Sequence, residues 1–164
     1  MNIPIYYIDA FTESLFSGNP AAVIFSNISD SLLMQNIAAE NNLSETAFIR
    51  KDDNKYHIRW FSPSCEIDLC GHATLASAYV YFNYIDKTQN EFEVHSEKNG
   101  PLRVYKKNDY LFLDFPTDQY EICNDYNAVE KALNIKPKEL YKGRDDILAI
   151  FDDEAAIKNL KPNF

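Results

Sequence analysis

Hydrophobic and polar positions alternate along much of this chain in short runs. Residues 3–11 are β-branched and aromatic and read as a strand; after a loop ending in Gly18-Asn19-Pro20, residues 21–25 read as a second. Helical spacing follows. Leu32, Leu33, Ile37 and Ala38 share one face of a helix from about 31 to 41, capped by Ser29 or Asp30 and stopped at Asn41-Asn42. Residues 46–51 and 56–61 are strands joined by the polar turn Asp52-Asp53-Asn54, a hairpin signal. Residues 71–83 form a helix that is apolar around nearly its whole circumference, which predicts that it is enclosed. Its small residues would let surrounding strands approach closely. Strands at 91–95, 102–106 and 110–115, with turns at Asn99-Gly100 and Asn108-Asp109, make a meander. The pattern predicts an α+β fold: a mostly antiparallel β-sheet wrapped around a central buried helix.

Residues 1–116 read as one such lobe and 117–124 as a linker. Beyond it come a helix (127–133), a strand (147–151) opened by Gly143-Arg144-Asp145-Asp146, and a last helix capped by Asp152 or Asp153. So few residues are hard to stabilise alone, and 125–164 reads as the beginning of an incomplete second lobe.

Composition narrows the function. The 164 residues are 46% hydrophobic and 25% charged, enough to bury a core. A net charge of −9 with no basic stripe argues against nucleic acid or an anionic membrane surface as partner. No apolar run approaches the roughly 20 residues of a membrane span. Cys65, Cys70 and Cys123 form neither a CxxC pair nor a zinc pattern, so no metal site is expected. The odd count, and an amino terminus without a basic n-region, point to reduced thiols in a cytoplasmic protein.

The chemistry concentrates in residues 66–76, where an apolar run carrying Asp68 meets a Cys70-Gly71-His72 step at a helix start. Gly71 would let the backbone turn tightly, and the first helix amides lack intrahelical partners. Those amides suit a substrate carboxylate, with His72 beside them to donate or accept a proton. Glu45 sits where a loop enters a strand, either as an ordinary surface carboxylate or as a group that moves a proton between two substrate carbons without a cofactor. Asn19 holds its turn or faces the substrate. Cys70 reads as a small buried hydrophobe, Asp68 as a cap or loop tether, and Arg59 as a solvated or ion-paired position. His57 and His95 alternate within strands and read as solvent-facing or packing residues.

Four segments in order resemble the N-terminal half of the PhzF-like isomerases, the phenazine-biosynthesis relatives of diaminopimelate epimerase. They are Ile8-Asp-Ala-Phe-Thr12 with Gly18-Asn-Pro-Ala-Ala-Val23; Asn42-Leu-Ser-Glu-Thr-Ala-Phe48; Arg59-Trp-Phe-Ser-Pro63 running into Asp68-Leu-Cys-Gly-His-Ala-Thr-Leu-Ala76; and Leu113-Asp-Phe-Pro116. The resemblance implies two similar lobes with the active site in the cleft between them. It places the general acid/base on Glu45 and substrate contacts on Gly71 and His72. It also implies that a second lobe, expected to be missing here, supplies an Asp and a Gly-Ser segment. In the related epimerases a cysteine at a corresponding Cys-Gly step is a catalytic base, whereas PhzF-like enzymes use the glutamate. The expected function is cofactor-independent isomerisation of a small carboxylate-bearing metabolite, by a homodimer or with a chain carrying the other lobe. The alternative is an inactive truncated lobe serving as a binding or self-association module. A hotdog-type thioesterase is a weaker reading, suggested by the sheet around a helix alone.

Overall fold

The computed structural model describes residues 2–163, whose contacts gather into two units, one ending at Pro116 and the other beginning at Thr117. The first unit contains strands β1 (Tyr6–Ala10), β2 (Asn19–Phe25), β3 (Glu45–Asp52), β4 (Lys55–Phe61) and the short β5 (Glu66–Ile67). Strands β6 (Glu91–Ser96), β7 (Gly100–Lys107) and β8 (Tyr110–Asp114) complete it, with helices α1 (Ser31–Asn41) and α2 (Gly71–Val80). The sheet order is β1-β2-β3-β4-β6-β7-β8, with β5 paired to β4. Most neighbours are antiparallel, as the alternation predicts, but β2–β3 and β4–β6 run parallel. Both exceptions fall where a helix intervenes: α1 connects β2 to β3, and α2 lies between β4 and β6. Parallel neighbours need such a crossover.

The two helices cover opposite faces of the sheet. Ala21, Val23, Ala47, Ile49, Ile58 and Trp60 alternate onto the face that packs with α2, while Ile24, Phe48 and Phe61 point to Met34 and Ala38 of α1. Burial on both faces explains why β2 reads as a continuous apolar run rather than an alternating one. Along α2 the small side chains Ala73, Ala76 and Ala78 are essentially inaccessible, so strands close onto the helix. Its hydroxyls are satisfied internally: Thr74 Oγ1 donates to the Cys70 carbonyl at 2.6 Å and Ser77 Oγ to that of Ala73 at 2.7 Å. Leu75 is only half-buried and Tyr79 is exposed, so the predicted enclosure is incomplete along one edge. There a groove of about 830 Å³ is lined by both of these residues with Tyr7 and Tyr110.

Several boundaries differ from expectation. The first strand ends at Ala10 because Phe11 takes a left-handed φ of 61°. The last helical turns widen into a π-helix, Tyr81–Ile85. In the second unit β9 (Glu121–Ile122) lies within the stretch expected to be a linker. It pairs with β10 (Glu139–Lys142), which pairs in turn with β11 (Ile147–Ile150). Two residues are too few to show periodicity, and only the partner strand defines β9. Helices α3 (Tyr126–Leu133) and α4 (Glu154–Lys158) are capped by Asp125 and Asp153, which accept from the Ala128 and Ala156 amides. Among the described residues, no helix is long and apolar enough to cross a membrane.

Candidate active site

Three chain segments converge at the entrance to α2. The first is the end of α1, where Asn42 adopts a left-handed conformation (φ 50°) and turns the chain into β3. Glu45 is the first residue of that strand. The second is the start of β2. Its parallel register sets Ala21 opposite Glu45, which brings Asn19 and Pro20 alongside. Ser44 Oγ donates to Asn19 Oδ1 at 3.4 Å, so Asn19 starts a strand and is tied to the residue before Glu45. The third is α2 itself, whose N-cap residue Cys70 is extended and makes no side-chain capping hydrogen bond.

His72 lies at the meeting point. Its Nε2 is 3.1 Å from Glu45 Oε2, with the two side chains 9% and 18% exposed. The contact is an ion-pair distance rather than a well-aligned hydrogen bond, and the buried Nε2 makes no hydrogen bond of good geometry. On the other ring nitrogen, Nδ1 is 3.4 Å from Cys70 Sγ. Burial pushes the His72 pKa down, and the Glu45 charge and the Pro20 carbonyl offset this only in part, so the imidazole is neutral near pH 7. Burial likewise pushes the Cys70 thiol up to about 12, against the pull of the Ala73 amide; the nearby Glu45 charge adds to the rise. Cys70 is therefore a thiol here, not a thiolate base. It belongs to the buried core as the sequence suggests, and it also touches the site, which spacing alone did not reveal.

Gly71 opens α2, as expected, but not for the expected reason. Its φ is not in the left-handed region, and a Cβ there would meet nothing nearer than Leu113 Cδ1 at 3.9 Å. The extended Cys70 makes the turn, so the backbone does not require glycine at 71. Gly71, His72, Glu45 and Asn19 thus lie on neighbouring segments of one lobe. Pro20 and Ser44, not singled out from the sequence, join them; both sit inside the motifs Gly18-Asn-Pro and Asn42-Leu-Ser-Glu.

The other candidates fall elsewhere. Asp68 does not cap α2; it pairs with Lys98, and its carbonyl accepts from Asn99 Nδ2 at 2.6 Å, so it tethers a loop. Arg59 grips Glu66 through two hydrogen bonds of 2.7 Å and donates to Ser31 Oγ at 3.0 Å. His57 and His95 face each other on adjacent strands with rings 6.0 Å apart. They line a hollow of about 520 Å³ with Arg50 and Arg59. Neither this hollow nor the groove beside Tyr79 is lined by Glu45, Cys70 or His72.

Residues 8–164 match the family described as phenazine biosynthesis-like protein. An uncharacterized isomerase of Halalkalibacterium halodurans is 42% identical over 166 residues, a match spanning all of this chain and 63% of that protein. A human phenazine biosynthesis-like domain-containing protein is 46% identical over 125 residues, covering 71% of this chain and 43% of its own length. The crystal structure of a phenazine biosynthesis protein of the PhzF family from Enterococcus faecalis superposes with a TM-score of 0.88 at 46% identity, covering 99% of this chain and 62% of that one. The chain thus spans less than two thirds of the length of these relatives. With the four motifs and the lobe architecture in agreement, the chain belongs to the PhzF-like, phenazine biosynthesis-like protein family.

Proposed function

We propose that this lobe carries the proton-moving group of an isomerase that acts on a small carboxylate-bearing metabolite. The observation that carries the reading is the Glu45 carboxyl 3.1 Å from the buried His72 imidazole at the start of α2, in a chain whose relatives include proteins named isomerases. Glu45 takes a proton from a carbon activated by a neighbouring carboxylate or enol and returns it to a second carbon. Nothing is oxidised or reduced, so the step requires no cofactor. The Gly71 amide and the positive end of α2 receive the substrate carboxylate, His72 hydrogen-bonds it, and Asn19, held by Ser44, borders the same place. The remaining wall comes from a second lobe, carried by a longer chain or by a partner, or from pairing of two copies. Reduced thiols fit a cytoplasmic setting.

A binding or self-association module is the competing reading. Exposed Phe11, Leu15, Tyr79 and Tyr110, which line the groove between β1 and β8, favour it. Incubation in D₂O with a panel of small unsaturated and hydroxy carboxylates, read by mass spectrometry, separates the two. Deuterium entry into one carboxylate, abolished in Glu45→Gln at unchanged stability, is the expected result. Exchange that survives Glu45→Gln would remove Glu45 from the mechanism. A chain inert toward the whole panel that self-associates favours the module.

A further inference from the structure

Proton transfer by Glu45 makes no use of sulfur, yet Cys70 Sγ lies 3.4 Å from His72 Nδ1 while Glu45 Oε2 lies 3.1 Å from Nε2 of the same ring. One ligand atom from each of Glu45, Cys70 and His72 falls within 4.8 Å of the others, and no second trio of this kind occurs among the described residues. We propose that this trio captures a thiophilic divalent cation, with Zn²⁺ the preferred ion, and that the bound ion blocks the proton-transfer site.

Sulfur, imidazole nitrogen and carboxylate oxygen together form a zinc donor set, and three protein ligands leave a fourth position for water. Ligand atoms around a tetrahedral zinc stand about 3.2–3.7 Å apart, given bonds of about 2.0–2.3 Å; the Cys70 contact on Nδ1 already has that spacing, while Glu45 meets the opposite nitrogen and must swing round to complete the set. An ion takes one nitrogen of the ring, and the Glu45 side chain, the most accessible of the three, turns to meet it. Hard cations fit poorly, since Mg²⁺ and Ca²⁺ need several oxygens and find one carboxylate here. The net charge of −9 raises the local cation concentration.

On binding, the Cys70 S–H bond breaks, a Zn–S bond forms and the proton leaves to solvent; no oxidation state changes. Glu45 then shares its lone pairs with the ion and can no longer accept a proton from carbon. The blocking effect rests on the proposed isomerase reading, but the capture itself does not.

The test titrates the purified chain with Zn²⁺ against a chromophoric chelator, and with Co²⁺ while recording near-ultraviolet absorption, where sulfur-to-cobalt charge transfer reports thiolate ligation. One ion per chain and a near-ultraviolet band are expected. Cys70→Ala should abolish the band and weaken Zn²⁺ binding by at least the roughly tenfold that loss of even an outer-shell partner costs a metal site. Glu45→Gln should weaken binding while leaving the band, and a His57→Ala/His95→Ala double variant should change neither. Cys70→Ser, nearly isosteric, repeats the test should the alanine variant fold poorly, with Trp60 fluorescence checking both. No binding at millimolar ion, a band that persists without Cys70, or binding lost only with His57 and His95 would each overturn the site. Binding at Cys70 in a chain that exchanges no deuterium leaves the cation site standing and counts only against activity of this lobe by itself. Undiminished exchange at saturating Zn²⁺ removes the blocking role.

Discussion

Three glycines in the first unit should respond differently to the same added methyl group. Gly18 and Gly100 have φ of +79° and +71°, so alanine at either costs about 1–2 kcal/mol in backbone strain. At Gly100 that is nearly the whole effect, since a Cβ there meets nothing within 4 Å. At Gly18 the methyl would lie 2.3 Å from the Ala10 carbonyl oxygen and 2.8 Å from Thr12 Cγ2. The first of these is backbone in the pairing of Ala10 with Asn19, so no rotamer change relieves it. Overpacking adds about 1–3 kcal/mol, giving roughly 2–5 kcal/mol in total. Gly71→Ala should be neutral or stabilising by about 0.4–1 kcal/mol, because the φ is ordinary and the nearest contact is loose. Trp60 is the single tryptophan, 1% exposed in the core, so its fluorescence reports urea unfolding of this unit. The expected order of midpoints is Gly71→Ala at or above the parent, then Gly100→Ala, then Gly18→Ala, with unchanged slopes. Gly18→Ala as stable as Gly100→Ala would refute the steric argument. A stable Gly71→Ala that loses deuterium exchange would show that the bare Cα serves a ligand rather than the fold.

Two further outcomes test the electrostatics. Glu66→Gln removes one partner of the bidentate Arg59 contact; with side chains 28% and 42% exposed, solvent screening limits the loss to about 1 kcal/mol by urea denaturation. A loss above about 3 kcal/mol would instead indicate a desolvated pair. The Arg103 guanidinium, hydrogen-bonded at 2.8 Å, holds the Glu93 carboxyl below its usual 4.5, with His95 helping. Because the folded value is the lower one, this stabilisation is present above pH 4.5 and is lost as pH falls through the folded value. Carboxyl NMR should show the depressed midpoint, and Arg103→Gln should raise it; an unmoved midpoint would remove Arg103 as the cause.

Much of the lobe could be read from one dimension. The apolar run at 46–49 and the alternation at 56–60, either side of a polar turn, mark β3 and β4, and the apolar run beginning at Gly71 marks the buried helix, because such patterns are local properties of a chain. Asp30 was legible as a cap for the same reason; its side chain reaches amides two and three residues on. Where alternation could not speak was in strands without enough residues to alternate. β5 and β9 have two residues each and exist only through their partners, Phe61 and Trp60 for one, Tyr141 and Lys142 for the other. The parallel pairing of β2 with β3 was also hidden, since strand direction depends on where a crossover helix lands.

The candidate site divides along the same line. Motif residues marked Glu45, Gly71, His72 and Asn19 individually, because a resemblance preserves residue type and order. Their convergence, and the arrival of Cys70 against the imidazole, came from three-dimensional packing. Residues 27 positions apart in the chain, Glu45 and His72, meet because a parallel register sets β3 beside β2 while α2 docks on the face those strands share. Burial then follows from that docking, and with it the neutral imidazole and the protonated thiol: desolvation is a property of surroundings, and a linear chain has none.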